Sequence, residues 1–244
     1  MWFFLVGAVF IAIGIMVQVF KWYFLISGYN TMPKEKKAKV DTKGLGRLMG
    51  IYSYFNGSVF IVLGVLDVLG LEPNVPAVAV IFCISTVCML IRAQKYDGNI
   101  YDEKGKLRKG EAVKIVLSIG ITAITLIFVL VLLFFSTQDT KVTVTEEGLR
   151  IHGMYGGFYA WESIDDVKLM GELPTIRIRT NGSAVGSKLK GYFKTKELGS
   201  VKLHVDTKSS PFVFLYTEKG ITIFNLKDAE ETKKVYEDIL RLRK

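Results

Sequence analysis

Four long apolar runs occupy most of the first 135 positions of this 244-residue chain. A helix rises about 1.5 Å per residue and the hydrocarbon core of a bilayer is about 30 Å thick, so each run is long enough to cross. Helices buried in a large soluble core are the alternative, but charged residues here, apart from Asp67, are confined to the connections. We therefore predict an α-helical membrane bundle of four transmembrane helices, at residues 2–20, 51–71, 75–91 and 115–135.

Lysine and arginine are concentrated in two connections between these runs. Residues 28–47 hold six of them against two acids, and residues 92–114 hold seven against four acids. The tight turn predicted at residues 72–74 holds none. Because short loops rich in Lys and Arg stay in the cytoplasm, we expect a multi-pass protein of the cell membrane with both basic loops inside. The N-terminus and the C-terminal domain would then be extracytoplasmic.

The formal net charge of +9 comes mostly from these loops, so it does not indicate nucleic-acid binding. The only histidines, His152 and His204, have no cysteine or acid at metal-ligand spacing. Neither a phosphate loop nor a Gly-x-Ser-x-Gly motif occurs. We therefore expect no enzymatic activity, no metal and no cofactor.

Glycines recur every seven residues along the first two runs. Residues seven apart lie on nearly the same face of a helix, and glycine there lets two helix backbones approach closely in lipid. We expect a packing seam between the first two spans of one chain; a dimer interface remains the alternative, and the oligomeric state stays open. The glycines are Gly7, Gly14, Gly50, Gly57 and Gly64.

Two polar side chains, Asn56 and Asp67, interrupt the second run and share one helix face. A carboxylate inside a membrane is a candidate ion or proton site. Asp67 lies only four residues before the end of its run, and no other run supplies an ionisable partner. The sequence therefore leaves a transport role for Asp67 open.

The first basic loop contains Gly28-Tyr29-Asn30-Thr31 and continues through Pro33 to Asp41. With the spans around it, this segment resembles an uncharacterised family of small bacterial membrane proteins with three spans. In that family a Gly-Tyr-Asn-Thr loop follows the first span. The resemblance covers about residues 1–98 and implies a three-span region there, but no activity. Residues 99–136 would add a cytoplasmic loop and the fourth span.

Residues 137–244 show short runs of alternating polarity that predict nine β-strands. Asp228, followed by Glu231, has the pattern of a helix cap, and Val235, Ile239 and Leu242 give the next helix one apolar stripe. We expect residues 140–244 to fold alone. The predicted strands are 141–145, 149–152, 158–161, 167–170, 175–179, 191–195, 201–206, 212–217 and 221–225.

The strands carry Phe158-Tyr159-Ala160-Trp161, Gly191-Tyr192-Phe193 and Phe224-Asn225-Leu226 at spacings that resemble the bacterial pleckstrin-homology-like (PH-like) domains. The resemblance implies an α+β domain, a bent antiparallel sheet or barrel capped by one C-terminal helix. It does not imply a ligand, because this fold hosts lipid, peptide and protein binding. The first hairpin turn, at residues 145–148, is acidic, which argues against the basic first-hairpin site of the eukaryotic lipid-binding members.

Basic residues are instead concentrated later in the domain, partly in a predicted loop at residues 181–188. We interpret them as a candidate patch for an anionic ligand, and a solvated strand face is the alternative. The protein would then present a binding module for a partner protein or an anionic envelope component, besides its contact with membrane lipids. The alternative function is an accessory subunit of a transport or export complex. The patch comprises Arg177, Arg179, Lys188, Lys190, Lys194, Lys196 and Lys202.

Overall fold

The computed structural model describes residues 2–71, 74–101 and 106–243. Glu72 and Pro73 of the predicted turn, and Lys104 of the second basic loop, lie outside the described residues. The chain divides into two compact units, which we call the helical unit (residues 1–130) and the β unit (residues 131–244). The helices are α1 (Trp2–Gln18), α2 (Lys34–Lys37), α3 (Thr42–Val68), α4 (Val75–Ala93), α5 (Glu111–Thr137) and α6 (Ala229–Leu242).

Three helices of the described chain are long and apolar enough to cross a membrane, namely α3, α5 and α4 with the short turn after it. These three helices are compatible with a multi-pass membrane protein. α1 is apolar but has 17 residues, fewer than its apolar run. It ends at Gln18, and Lys21 soon afterwards adopts a left-handed conformation with φ of 59°. A residue with a Cβ atom adopts the left-handed conformation at a cost in free energy, which tertiary contacts must offset.

α1 and α3 pack against each other through their glycines. A Cβ atom built on Gly7 would lie 2.9 Å from the Gly57 carbonyl oxygen, and one on Gly57 would lie 3.0 Å from that of Gly7. Gly14 faces Tyr54, Gly50 faces Gln18, and Gly64 faces Phe4 in the same way. All five predicted glycines therefore lie in the contact between these two helices, where larger side chains would separate the backbones.

The two basic loops are hydrogen-bonded to each other. Val40 and Asp97 form an antiparallel bridge, and the Gly98 amide donates to the Lys39 carbonyl at 3.0 Å. The Asp41 side chain caps α3 by accepting from the Gly44 amide at 2.9 Å. The loop after the first apolar run and the loop after the third are thus joined in one hydrogen-bonded structure.

The β unit contains all nine predicted strands, arranged in two sheets. A three-stranded antiparallel sheet has the order β1-β2-β3, and a six-stranded sheet has the order β4-β8-β9-β7-β6-β5. The strands are β1 (Val142–Val144), β2 (Gly148–Ile151), β3 (Gly157–Ala160), β4 (Ile164–Met170), β5 (Ile176–Val185), β6 (Lys188–Thr195), β7 (Ser200–Asp206), β8 (Phe212–Thr217) and β9 (Gly220–Phe224).

Two features of the six-stranded sheet differ from the sequence prediction. β7 and β9 pair in parallel, so the sheet is mixed rather than antiparallel. β5 continues to Val185 and pairs with β6 as far as Lys188, so most of the segment predicted as a loop is strand. Gly182 and Ser183 lie inside this edge strand although glycine is depleted in strands, which is why the segment resembled a loop.

The six-stranded sheet is apolar on both faces. One face packs with the three-stranded sheet and with α6, which Asp228 caps through the Glu230 and Glu231 amides. Ile239 of α6 is fully buried, but Leu242 remains 37% exposed, so the predicted apolar stripe contributes only in part. The second face gathers Phe193, Val201, Leu203, Val205, Phe212, Phe214 and Ile223.

Candidate functional site

The seven predicted basic residues do not form one patch. Arg177 and Arg179 are exposed on β5, the edge strand, and Lys194 and Lys196 are exposed at the end of β6. The remaining three are half-buried or buried, and they are Lys188, Lys190 and Lys202.

Lys188 and Lys190 bind the end of α5. The Lys190 ammonium donates to the Phe135 carbonyl at 3.0 Å, and the Lys188 ammonium donates to the Thr137 carbonyl at 2.7 Å and pairs with the Asp139 carboxylate. The last four carbonyls of a helix have no partner within it, and the C-terminus carries partial negative charge, so two cations stabilise this end. Burial, with the positive charge of Lys188, lowers the pKa of Lys190, and Asp139 opposes this. Both lysines are therefore structural rather than free for a ligand.

The strand register separates the exposed cations further. Paired residues in neighbouring strands point to the same face, so Lys194 lies with Ile178, whereas Arg179 lies with Phe193 on the opposite face. Two register shifts in β5, at residues 176–178 and 179–181, cause this separation. Tyr192 and Lys202 are paired and share the face of Lys194.

A groove lined by aromatic and cationic side chains lies on this face. It has a volume of about 340 Å³ and runs between β3 and the starts of β7 and β9. Phe158 and Tyr192 are 43% and 45% exposed there. Lys202 lies over the Tyr192 ring, 5.7 Å from its centre, and Lys219 lines the same groove. We call this feature the aromatic groove.

The chain before β3 holds the aromatic groove in place. Tyr155 has a left-handed backbone, with φ of 61°, although it is not glycine. Its hydroxyl donates to the Asn181 side chain at 3.0 Å, and its ring meets that of Tyr192 edge-on at 6.1 Å. Strained residues of this kind persist where surrounding contacts over-determine them, and they concentrate at functional sites. Sequence reasoning missed this group, because only the folded sheet brings Tyr155, Phe158 and Tyr192 together.

His204 lies on the same sheet face but is 1% exposed. Burial, followed by the positive charges of Lys202 and Lys190, lowers its pKa to about 3, and a hydrogen bond to the Tyr155 backbone opposes this only in part. The ring is therefore neutral at physiological pH. Its Nε2 atom has no hydrogen-bond partner among the described residues. In that part of the chain no group of three or more His, Cys, Asp or Glu is placed to hold a metal ion.

The helical unit has a second concave region, a polar cleft of about 590 Å³ between the two basic loops. Asn99 frames it by donating to the Lys36 carbonyl at 2.9 Å and to the Asp97 carboxylate at 2.8 Å. Three cations and three carboxylates line it together, so it has no bias toward ligands of one charge. They are Lys36, Lys39, Arg108, Glu35, Asp97 and Glu111.

Asn56 and Asp67, the two polar residues singled out in the second apolar run, lie in different environments. Asn56 is 2% exposed; its amide donates to the Tyr52 carbonyl at 2.9 Å and accepts from the Ser85 hydroxyl of α4 at 3.1 Å. This bond links α3 to α4. Asp67 is exposed at the end of α3.

Residues 4–97 match a family described as a domain of unknown function, DUF3784. This segment contains α1 to α4 and both loop segments that bridge at Val40 and Asp97. A search of the curated proteins and a search of the solved structures found no match to the chain. The family match therefore lies within the helical unit and ends before α5.

Proposed function

We propose that the protein is a four-span membrane protein whose β unit is a binding module for an anionic component of the cell envelope. The aromatic groove carries this proposal. It exposes two aromatic rings and two lysines, and no carboxylate is among its described lining residues. Rings that stay exposed in a well-packed domain mark interaction surfaces, and the lysines favour a negatively charged ligand.

α1 is the proposed fourth span. Its 17 residues extend about 26 Å, which is at the short end of the range for a spanning helix. Trp22, Tyr23 and Phe24 follow it, and aromatic residues are enriched at the membrane interface. Its glycine contacts with α3 support a crossing beside that helix.

A PH-like fold is the proposed relationship of the β unit. A series of strands followed by one amphipathic helix, with α6 packed on the sheet, supports it. The parallel pair of β7 and β9 departs from an antiparallel sheet. The aromatic groove is lined by residues of β3, β6, β7 and β9. The basic site of the eukaryotic lipid-binding members lies instead on the first hairpin.

The topology proposal places the β unit outside the cytoplasm, on the strength of the Lys and Arg content of the loops. The test uses single cysteines in a Cys83→Ala, Cys88→Ala chain, with Glu218→Cys in the β unit and Lys109→Cys in the second basic loop. A membrane-impermeant maleimide on whole cells should label the first and not the second. The reverse pattern would place the β unit in the cytoplasm and exclude wall polymers as ligands.

The binding proposal is tested on the full-length protein in a neutral detergent. Two soluble probes suit it: a glycerol-phosphate oligomer and glycerophosphoglycerol, the deacylated headgroup of phosphatidylglycerol. Binding of either probe should weaken with salt and should be lost in Lys202→Ser, Lys219→Ser. Arg179→Ser, on the opposite sheet face, is the matched control and should bind normally. If neither probe binds at low salt, the groove has another role.

An accessory role in a transport or export complex is the second candidate. In the most apolar 18-residue stretch of α5, no residue is buried by the described protein. Such a helix can face lipid or the helices of another protein. A stable partner that copurifies in mild detergent and crosslinks to α5 would favour this role.

A further inference from the structure

We propose that the aromatic groove rests on the anionic phospholipid headgroups of the membrane that α5 crosses. This inference depends on the proposed function, because it takes the groove as the binding surface and names the envelope component. It holds for either side of the membrane, since it uses only the position of the groove relative to the end of α5.

The hydrogen bonds of Lys190 locate the groove near the membrane boundary. α5 has no charged residue from Ile115 to Phe135, a run of about 32 Å, which matches the hydrocarbon thickness. The polar residues Ser136, Thr137, Gln138 and Asp139 follow directly. The Lys190 ammonium binds the carbonyl of Phe135, the last residue of the uncharged run. This part of β6 therefore lies where hydrocarbon gives way to headgroups.

The aromatic groove begins two residues further along the same strand. Alternate residues of a strand share a face and are about 7 Å apart, so Tyr192 follows Lys190 at that distance on one face. The headgroup layer on each side of a bilayer is roughly 5–8 Å thick. Tyr192, and Lys202 paired beside it, therefore lie close to this layer.

The chemistry of the groove suits such a position. Tyrosine and other aromatic side chains are enriched at the interface, and lysine places its charge among headgroups while its chain covers apolar surface. The two groove lysines, Lys202 and Lys219, face no carboxylate within the described lining. A soluble polymer or a protein would have to enter a groove that the end of α5 holds close to the bilayer. An anionic lipid surface is already there.

The test uses the full chain in nanodiscs, again with Cys83→Ala and Cys88→Ala. A fluorescent label is placed at Ser200→Cys, on the exposed rim of the groove, and spin-labelled lipids act as quenchers. The control is Met170→Cys, a 43% exposed position on β4 at the other edge of the sheet. In discs with phosphatidylglycerol the Ser200 label should be quenched strongly and the Met170 label weakly. Pure phosphatidylcholine discs should abolish the difference.

Substituting the groove lysines tests the charge dependence. A lysine close to an anionic surface contributes about a fivefold preference, so Lys202→Gln should lower the ratio of docked to undocked protein by about that factor. Equal quenching of the Ser200 and Met170 labels in phosphatidylglycerol discs would overturn the docking inference. If the soluble probes above still bind in that case, the groove is a binding site for a ligand in solution. If the two labels are quenched equally and the soluble probes do not bind either, the proposed function is rejected as well.

Discussion

The helical unit and the β unit are packed by opposite means. Between α1 and α3 the contact is made by Gly7 and Gly57, whose backbones nearly touch, and the buried side chains nearby include Ser53 and Asn56. The β unit instead buries large rings such as Phe193 and Phe224. Lipid offers no gain for burying apolar groups, so helices there associate by close contact and hydrogen bonds, whereas water favours burying apolar area. The two halves should therefore fail under different changes.

The largest expected effect is an added side chain in the helical seam. In Gly57→Leu the Cβ atom alone would lie 2.8 Å from Ile11 and 3.0 Å from the Gly7 carbonyl oxygen, and a backbone atom cannot move away easily. Overpacking of this kind costs up to about 3 kcal/mol. Thermal unfolding in detergent should show a clear loss of stability. The control is Gly120→Leu on α5, where an added Cβ would have no described atom beyond its own helix backbone within 4 Å. An equal loss of stability there would mean that the seam is not special.

The second effect belongs to the β unit, where a buried polar group makes stability depend on pH. The pKa of His204 falls from 6.5 in an exposed setting to about 3 in the fold. The unfolded chain therefore binds a proton as the pH falls below 6.5 while the folded chain does not, so stability is lost on acidification. Between pH 6.5 and 4.5 the loss should be roughly 2 kcal/mol.

His204→Asn should flatten this dependence, as measured by denaturant unfolding of the β unit at several pH values. His152→Asn is the matched control, because His152 is exposed and its Nε2 atom lies 2.8 Å from the Thr143 hydroxyl. A slope that survives in His204→Asn would assign the acid sensitivity to other groups.

A smaller effect should come from the end of α5. A fragment of residues 131–244 keeps the Phe135 and Thr137 carbonyls, whereas one of residues 140–244 leaves Lys190, which is 5% exposed, without its acceptor. A buried charge that loses its hydrogen bond costs about 2 kcal/mol, so the shorter fragment should unfold at lower denaturant concentration. The difference should shrink in Lys190→Met, which removes the charge from both fragments. Equal stability of the unsubstituted fragments would show that Lys190 reaches water.

Elements with a strong local pattern were predicted well from the sequence. The nine strands alternate in polarity over several residues, and Asp228 marks the start of α6 by itself. The long apolar runs gave α3, α4 and α5, although α3 begins at Thr42, nine residues before its run, because polar residues can extend a helix beyond the membrane.

Features that depend on distant parts of the chain could not be predicted. The parallel pair of β7 and β9 and the register shifts in β5 are decided by how the sheet is assembled. The roles of Lys188 and Lys190 depend on where α5 ends, about fifty residues earlier in the chain. In the sequence these lysines cannot be told from Lys194 and Lys196, which are exposed. The predicted patch therefore combined lysines that hold the end of α5 with lysines on the surface.

The order of the six-stranded sheet has a consequence for biosynthesis. β9 lies between β8 and β7, and it is the last strand to be made. Until it emerges, β5, β6 and β7 form one group and β4 and β8 another, with no strand pairing between the two. α5, synthesised earlier, can already be inserted while this domain is still in two pieces. A ribosome that stops before Gly220 would therefore leave an anchored protein with two open sheet edges, a ready substrate for the proteases that survey the membrane.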